Sequence, residues 1–406
     1  MRKTVRWGAW FGDVDYELEF PDSWHVETFP PRDRADMTDQ EIEDAIRSPI
    51  ASQPLREIAV GKRTACVVVD DLSRPTPMAR LMGPILSELN AAGIPDDRVL
   101  ILAGVGNHRQ MMRGDFIKKV GQDAVERCPV ANHFSWDDCV MVGTTSHGTP
   151  VEVSRLYADA DVKILTGSIV PHPVAGYAGG GKMVLPGVAS IRSAIAFHGP
   201  NGPRTNLAVV DTPARADIEE AAQLAGVDFI ANVIPTSMRG VGGLVAGNVV
   251  QAHRVGVRIA MEMNATRTPV DWDVCVLSAY PKDNEFIQHG LVYNLWRTAP
   301  SSIVHEGGTV VVADACSEGA GFHSLAGPGM RLPAATDLRK PVAPRDLIFY
   351  APGVKEAEVP HDPDPQLWFV DRWEDVVTRL GAKHGAGTRV AVFPCSAIQV
   401  AEGFDH

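Results

Sequence analysis

The sequence predicts an α/β protein with two domains, each built on a mainly parallel sheet flanked by helices. Short apolar, β-branched segments alternate with helical patterns in two series, and a polar segment that ends in proline, 264–269, separates the two series. The chain of 406 residues also exceeds the roughly 250–300 residues that one hydrophobic core usually supports. We therefore expect an N-terminal domain over residues 1–266 and a C-terminal domain over residues 267–406.

The first series contains predicted strands at 65–69, 98–103 and 161–165, with a weaker one at 139–142. Ala65–Val69 is apolar throughout, as expected of a strand that is buried on both faces of a parallel sheet. Leu81, Ile85 and Leu89 have helical spacing and Gly93 follows them, so a helix is expected over 78–92. Further helical patterns cover residues 190–196, 214–225 and 249–263.

The second series predicts four more strands and two helices, and the stretch 319–344 is expected to be a long loop region because it is rich in glycine, proline and alanine. The strands are at 273–278, 309–313, 346–350 and 389–393, and the helices are at 284–299 and 372–383. In open sheets of this kind, ligands bind beyond the carboxyl ends of the strands. We therefore expect one site from the segments that follow strands: 70–77, 104–109, 167–182, and 280–284 with the nearby Gln288.

Composition and charge exclude several classes of protein. The net charge of −12 argues against binding to nucleic acid or to an anionic membrane, since both require basic patches. No apolar run reaches the ~18 residues of a membrane span, and no signal peptide is evident. The six cysteines are scattered without a Cys-x-x-Cys pair, which argues against a zinc site and a disulfide framework. A cytoplasmic protein is expected.

The segment 171–182 combines glycines with titratable side chains. Three consecutive glycines, 179–181, lack a Cβ, so their backbone N–H groups can approach a phosphate or a flat ring closely. The segment matches a P-loop as far as Lys182, but Met183 stands where Mg²⁺ needs a serine or threonine, which argues against an ATPase. Two interpretations stay open: a glycine-rich turn with a solvated lysine, and a site for a flat phosphorylated cofactor with Lys182 as its charge partner or covalent attachment point.

Three histidines and one arginine stand beside these segments. His108 follows the second strand, His172 follows the third, and His198 lies beyond the glycine-rich segment. Two imidazoles on opposite faces of a substrate suit the inversion of a carbon centre, because a histidine near its unperturbed pKa of ~6.5 both takes and returns a proton. Arg74, in a loop stiffened by prolines, suits capture of a carboxylate or phosphate. The alternative for that loop is a capped turn.

Four motifs occur in a fixed order and together resemble the nickel-dependent lactate racemase family over most of the chain. They are Asp-Asp-x-x-Arg-Pro-Thr-Pro (70–77), Gly-x-His-Arg (106–109), Gly-Thr-Thr-x-x-Gly-x-Pro-Val (143–151) and His-x-x-Ala-Gly-aromatic-x-Gly-Gly-x-Lys-x-x-x-Pro-Gly (172–187), followed by His198. Members of this family carry a nickel-pincer nucleotide, a dithiocarboxylated pyridinium mononucleotide that holds Ni(II) through carbon and sulfur. The resemblance implies an isomerase, a racemase or epimerase of a 2-hydroxy carboxylic acid, with its active site in the cleft between two α/β domains.

The resemblance also implies roles for individual residues. Lys182 would be the covalent attachment point of the cofactor, and His198 would be the protein's nickel ligand. His108 and His172 would be the paired acid/base residues. Arg74 would hold the substrate carboxylate with help from Gln288. The residues expected to contact the cofactor are Asp71, Arg74, Gly179, Gly180 and Gly181, besides Lys182.

The mechanism that the resemblance implies is proton-coupled hydride transfer. One histidine removes the hydroxyl proton while hydride leaves C2, and the flat 2-oxo acid then receives hydride on its other face. The C2–H of a 2-hydroxy carboxylate is poorly acidic, so its removal as hydride avoids a dianionic intermediate. Cofactor-synthesis proteins would be needed for maturation, and the C-terminal domain would close over the small-molecule substrate.

Several residues depart from the family pattern, so the substrate is not expected to be lactate itself. Leu291 stands where lactate racemase has a lysine, Ile287 replaces an aromatic residue, and Pro173-Val174 replace an aromatic pair. Gly181 stands where lactate racemase has an arginine. The absence of the lysine's positive charge favours a bulkier or more apolar 2-hydroxy acid. The alternatives are a non-catalytic cofactor-binding protein and a nickel-free oxidoreductase of hydroxy acids, although no Gly-x-Gly-x-x-Gly follows the first strand.

Overall fold

Strands and helices alternate along the chain, which confirms the predicted α/β class. The computed structural model describes residues 1–326, 330–332 and 335–405, and these residues form two units. The larger unit contains Arg34–Met261 and His323–Leu332. The smaller unit contains Met1–Asp33, Glu262–Phe322 and the described residues after Leu332.

The elements are numbered in chain order. The strands are β1 (Arg2–Trp7), β2 (Val14–Glu19), β3 (His25–Thr28), β4 (Ala65–Val69), β5 (Val99–Ala103), β6 (Val130–Asn132), β7 (Cys139–Thr144), β8 (Pro150–Ser154), β9 (Val162–Ser168), β10 (Pro171–His172), β11 (Gly176–Tyr177), β12 (Phe229–Pro235), β13 (Val241–Gly247), β14 (Ala265–Thr266), β15 (Trp272–Ser278), β16 (Val304–Ala313), β17 (Asp346–Tyr350), β18 (Leu367–Val370), β19 (Arg389–Phe393) and β20 (Val400–Ala401). The α-helices are α1 (Asp39–Arg47), α2 (Leu55–Ile58), α3 (Ala79–Ala91), α4 (Arg113–Val120), α5 (Gln122–Arg127), α6 (Arg155–Ala158), α7 (Ile191–His198), α8 (Pro213–Leu224), α9 (Gln251–Asn264), α10 (Asn294–Thr298) and α11 (Trp373–His384). Among the described residues, none of the helices combines the length and the apolar character that crossing a bilayer requires.

The larger unit is built on a six-stranded sheet in the order β13-β12-β9-β4-β5-β6. Neighbouring strands are parallel except for the antiparallel pair β12 and β13. The chain runs from β4 outward to β5 and β6, then returns to β9 on the other side of β4. Ligand sites of open parallel sheets lie at the carboxyl ends of the strands at such a reversal. The loops after β4, β5 and β9 therefore start beside one another, as the sequence predicts.

Three strands of this sheet escape prediction, and one of them, Val130–Asn132, is only three residues long. Phe229–Pro235 is buried along its whole length, but a short apolar run without alternation does not distinguish a strand from a helix segment. Val241–Gly247 contains three glycines, and glycine is depleted in strands. The helices of this unit agree better with the sequence, since α3, α7, α8 and α9 lie where helical patterns were found.

The smaller unit is built on a sheet whose order is β18-β17-β16-β15-β19-β3, with all neighbouring strands parallel. Its last strand, β3, comes from the N-terminal segment and pairs with β19, where His25 lies opposite Arg389. The first 33 residues consequently belong to this unit, whereas the sequence places them with residues 34–266. A pairing between such distant segments leaves no local pattern in the sequence.

The predicted helix over 284–299 has a different form. Phe286–Tyr293 is a 3-10 helix, and only Asn294–Thr298 is α-helical. Gly290 lies within the 3-10 segment, and glycine is among the poorest helix formers because it loses most backbone entropy. Gln288 is therefore presented by a 3-10 turn of the smaller unit.

Candidate active site

An Asp–His pair lies at the carboxyl edge of the larger unit's sheet. Asp71 Oδ2 is 3.0 Å from His108 Nδ1, and Ser73 Oγ lies 2.9 Å from the same nitrogen. A carboxylate at this distance keeps the hydrogen on Nδ1, so the lone pair of the ring is on Nε2. His108 is thus oriented as a base by the loop that follows β4.

The electrostatic surroundings keep Asp71 ionised. Burial by itself would raise the pKa of the Asp71 carboxyl, but the His108 ring, the Arg74 charge and the Ser73 hydroxyl hold this pKa well below its usual range. The Ser73 backbone N–H also donates to Asp71 Oδ1 at 2.7 Å. The described hydrogen bonds of Asp71 connect it to Ser73 and His108, and its contact with the cofactor stays a prediction.

Arg74 is half-buried beside this pair. Its Nη1 donates to Ser73 Oγ at 2.8 Å and to the Ser73 carbonyl at 3.2 Å. Its charge acts on Asp71 and also on Lys182. A fixed guanidinium next to the imidazole of His108 is suited to holding an anionic group of a substrate.

A buried lysine of α4, Lys119, holds the loop that contains Arg74, and no pattern in the sequence predicts it. Lys119 Nζ lies 2.7 Å from Asp70 Oδ1 and donates to the backbone carbonyls of Arg74 at 3.0 Å and Thr76 at 3.4 Å. The Thr76 hydroxyl donates to the other oxygen of Asp70. Lys119 is fully buried, so this ion pair fixes the backbone from which Arg74 projects.

The glycine-rich loop packs closely against two buried side chains, Arg215 and His253, at Gly180. A Cβ on Gly180 would lie 2.8 Å from Arg215 Nη2 and 2.9 Å from the His253 ring. These two buried side chains also hold the loop backbone: Arg215 donates to the Tyr177 and Gly179 carbonyls, and His253 Nε2 lies 2.9 Å from the Ala178 carbonyl. The missing Cβ of Gly180 thus serves close packing, and cofactor contact by the three glycines stays a prediction.

Gly180→Ala is expected to lower the free energy of unfolding by about 1–3 kcal/mol more than Gly226→Ala, because overpacking of a well-filled site costs this much. Both glycines have positive φ, +57° for Gly180 and +67° for Gly226, but a Cβ on Gly226 would meet nothing within 4 Å. Gly226→Ala therefore reports backbone strain alone. Urea denaturation of the two variants checks the difference, and equal losses would contradict the packing argument.

Lys182 lies in the 3-10 helix Gly180–Met183, and its surroundings change the pKa of its amine. Burial, reinforced by the charge of Arg74, lowers the pKa of its amine to about 7. An ordinary lysine, with a pKa of ~10.4, is a poor nucleophile at neutral pH. The environment of Lys182 therefore supplies the activation that covalent attachment requires.

Amine labelling should reveal this lowered pKa. In cofactor-free protein, we expect labelling of Lys182 by acetic anhydride to reach half its maximum near pH 7, because the neutral amine, which predominates above the pKa, is the reactive form. Peptide mass spectrometry after brief pulses at different pH values measures the curve. The exposed Lys118 in the same digest is the reference, and a Lys182 curve that coincided with it would contradict the assignment.

His198, the last residue of α7, has the tautomer and the neutral charge that a metal-binding histidine needs. Its Nδ1 lies 3.0 Å from the Ala194 carbonyl, so Nδ1 carries the hydrogen and Nε2 has a free lone pair. Burial, with a smaller contribution from the Lys182 charge, lowers the pKa of His198 to about 4, and a neutral imidazole is the form that binds metal. In the part of the chain that the structure describes, no group of three His, Cys, Asp or Glu residues is arranged to hold a metal.

His172 is held in the opposite hydrogen-bonding pattern from His108. It lies on β10, which forms a short antiparallel pair with β11. Its Nδ1 accepts hydrogen bonds from the backbone N–H groups of Val174 at 3.1 Å and Ala175 at 3.2 Å. In this conformation Nε2 carries the hydrogen, so His172 presents a donor where His108 presents an acceptor.

A further histidine of this unit, His323, lies near His108. The sequence predicts a loop region there, 319–344, and assigns His323 no role. Its ring centroid lies 5.4 Å from that of His108. Burial, followed by the charges of His108, His198, Arg74 and Lys182, lowers the pKa of His323 to about 3. The signal in the sequence is a repeat, since His-x-Val-Ala-Gly at 172–176 recurs as His-x-Leu-Ala-Gly at 323–327. Gly327 itself lies outside the described residues.

Gln288 is the one proposed site residue in the smaller unit. Its side-chain amide donates to Glu285 Oε1 at 3.3 Å. The other proposed residues, on the segments after β4, β5 and β9 and at the end of α7, all belong to the larger unit. The contact of Gln288 with substrate stays a prediction.

Comparison with known proteins decides the family. Residues 11–206 match the lactate racemase N-terminal domain, and lactate racemase from Lactiplantibacillus plantarum is 31% identical over 303 residues, which cover 71% of this chain and 70% of that protein. The chain belongs to the lactate racemase family. A lactate racemase from Thermoanaerobacterium thermosaccharolyticum is 29% identical over 296 residues, 71% of this chain and 68% of that protein. Membership of this family makes the chain an isomerase of the racemase class.

Solved structures agree with the fold of this lactate racemase family member. The lactate racemase apoprotein from T. thermosaccharolyticum superposes with a TM-score of 0.76 at 20% identity and covers 99% of this chain and 100% of its own. A protein from Thermotoga maritima gives a TM-score of 0.66 at 17% identity, with 91% of this chain and 99% of its own chain covered. At these identities the likeness concerns the fold alone.

Proposed function

We propose that the protein racemises or epimerises a 2-hydroxy carboxylic acid through a 2-oxo acid, with a nickel-pincer nucleotide attached to Lys182. The observation that carries this proposal is the Asp71–His108 pair, placed beside the Arg74 guanidinium in a member of the lactate racemase family. An oriented base next to a carboxylate-binding group is what removal of a hydroxyl proton from a 2-hydroxy acid requires.

The residues around Lys182 fit this cofactor. The pKa of about 7 gives Lys182 a reactive amine, and His198 offers a neutral imidazole with a free Nε2. One imidazole does not hold a nickel ion by itself, so the remaining donors would come from the nucleotide. When bound, the nucleotide supplies the acceptor and donor of the C2 hydride.

The two histidines divide the proton chemistry in this proposal. His108, with its Nδ1 hydrogen directed to Asp71, accepts the hydroxyl proton at Nε2. His172, whose Nδ1 is occupied by two backbone N–H groups, holds its hydrogen at Nε2. Arg74 binds the carboxylate, and Gln288 assists it. In this tautomer His172 is a hydrogen-bond donor, and it returns a proton only from its protonated ring, in which Nδ1 gives up the two backbone contacts.

The proposed substrate is a 2-hydroxy acid other than lactate. Leu291 and Ile287 on the 3-10 helix, with Pro173-Val174 after His172, replace the lysine and the aromatic residues expected for lactate racemase. Leu291 is mostly buried, with 8% of its surface exposed. An apolar residue in place of a cation favours a substrate with a larger or more apolar side chain.

A panel of single-enantiomer 2-hydroxy acids tests the proposal. Wild type co-expressed with the cofactor-synthesis proteins is incubated with single enantiomers of lactate, 2-hydroxybutyrate, malate and phenyllactate. The product enantiomers are separated by chiral chromatography. We expect isomerisation of at least one acid, and more slowly of lactate. Isomerisation of none would favour a non-catalytic cofactor-binding protein. Oxidation that depends on added NAD would favour a nickel-free oxidoreductase.

A further inference from the structure

His323 reproduces the local structure of His172. In each case the ring Nδ1 accepts from the backbone N–H groups two and three residues further along the chain. For His172 these distances are 3.1 and 3.2 Å, and for His323 they are 3.2 Å from Leu325 and 3.1 Å from Ala326. A turn of this kind fixes the ring plane, because two backbone groups hold one ring nitrogen. Nε2 of His323 therefore carries the hydrogen and lies on the side of the ring away from its own backbone.

The segment that carries His323 is attached to the loop after β5. His323 forms a backbone bridge with His108, and Ser324 N donates to the Asn107 carbonyl at 2.7 Å. Asn107 is buried, with 3% of its surface exposed. The two histidine rings are 5.4 Å apart, with their planes at 55°. His323 therefore lies directly beside the residue that acts as the base in the proposed function.

The hydrogen bonds of His323 restrict its chemistry. A ring whose Nδ1 accepts two backbone N–H groups has no place for a second proton without losing both, so it stays a neutral donor. The charges that act on His323 come from His108, His198, Arg74 and Lys182. All four are residues of the proposed site. A neutral N–H donor next to a guanidinium adds a second directed contact to a bound carboxylate.

We propose that His323 is a substrate-contacting residue of this site, which donates its Nε2 hydrogen to a carboxylate oxygen of the 2-hydroxy acid. This proposal rests on the proposed function. It assigns to His323 a role in binding and orientation, and it leaves proton transfer to His108 and His172.

Two substitutions separate the donor from the turn. In His323→Asn the shorter side chain still accepts from the backbone N–H groups two and three residues ahead, as in an Asx turn, but it offers no donor at the position of Nε2. In His323→Gln an amide N–H reaches that position while the turn contact is lost. We expect kcat/KM to fall about 10- to 100-fold in His323→Asn, the size expected for a hydrogen bond to a charged group, mainly through a higher KM. His323→Gln should recover part of this loss.

The measurement uses holoenzyme and the panel acid that wild type isomerises fastest. The control is His147→Gln, at a histidine of the same unit with 36% of its side chain exposed. The proposal would be overturned if His323→Asn kept the KM and kcat/KM of wild type. A larger loss of kcat/KM in His323→Gln than in His323→Asn would also overturn it, because that order would show that the turn matters and the Nε2 donor does not. If wild type isomerises no acid but binds one by calorimetry, the proposed function fails and the same comparison of affinities decides for His323. If it binds none, both proposals fail.

Discussion

Asp71→Asn is expected to lower kcat by a factor on the order of 10³–10⁴, the effect that the same change produces when a carboxylate orients a catalytic histidine. Asp71 Oδ2 accepts from His108 Nδ1 at 3.0 Å, and the ionised carboxylate requires a hydrogen on that nitrogen. The amide of asparagine can donate to Nδ1 instead, which moves the hydrogen to Nε2 and removes the base. Steady-state kinetics of nickel-loaded protein in both directions measure the loss.

Ser73→Ala is the matched control for this variant. It removes the hydroxyl that lies 2.9 Å from His108 Nδ1, donates to Asp71 and accepts from Arg74 Nη1, but it leaves the carboxylate in place. A loss on the order of 10- to 100-fold is expected from hydrogen bonds to charged groups, smaller than the loss in Asp71→Asn. Nickel content and the unfolding midpoint should stay at wild-type values in both proteins. An Asp71→Asn enzyme that kept kcat within tenfold of wild type would show that Asp71 does not set the state of His108.

Lys119→Met is expected to lower the free energy of unfolding of the larger unit by about 3–5 kcal/mol, because removal of one partner leaves the other charge of a buried ion pair uncompensated. Lys119 is fully buried and 2.7 Å from Asp70. It also donates to the Arg74 and Thr76 carbonyls, so activity should fall together with stability as the Arg74 loop loses its support.

Lys118→Met provides the control at the neighbouring exposed position, where a change within about 0.5 kcal/mol is expected. Urea denaturation followed by circular dichroism measures both variants. In the double variant Lys119→Met/Asp70→Asn the loss should be smaller than the sum of the two single losses, because neither charge is then left alone. Additive losses, or a small effect of Lys119→Met, would contradict the role of this ion pair.

Local patterns account for much of the larger unit. The continuous apolar run of β4 and the helical spacing of α3 placed these elements correctly, and their order along the chain indicated a parallel sheet. From that sheet followed the expectation that the loop with Asp71 and the loop with His108 meet, since they follow adjacent parallel strands. The 3.0 Å contact between the two side chains agrees with this reasoning.

Other features depend on contacts between distant segments, which local patterns do not show. β3 completes the sheet of the smaller unit from the N-terminal segment, and Lys119 lies on α4, where nothing marks it as buried beneath another loop. His323 reaches His108 from the second half of the chain. A Cβ on Gly180 would meet Arg215 and His253, a packing contact that the sequence does not reveal, and the approach of the glycines to a ligand stays a prediction.

Covalent attachment of a nickel-containing cofactor to Lys182 is the feature on which the proposed racemase chemistry depends. Intact-mass spectrometry with nickel analysis tests it most directly, on wild type and Lys182→Ala produced in parallel with the cofactor-synthesis proteins. We expect wild type to exceed its sequence mass and to retain nickel after gel filtration, and Lys182→Ala to have only its sequence mass. Wild type at its bare sequence mass, without nickel, would contradict the account.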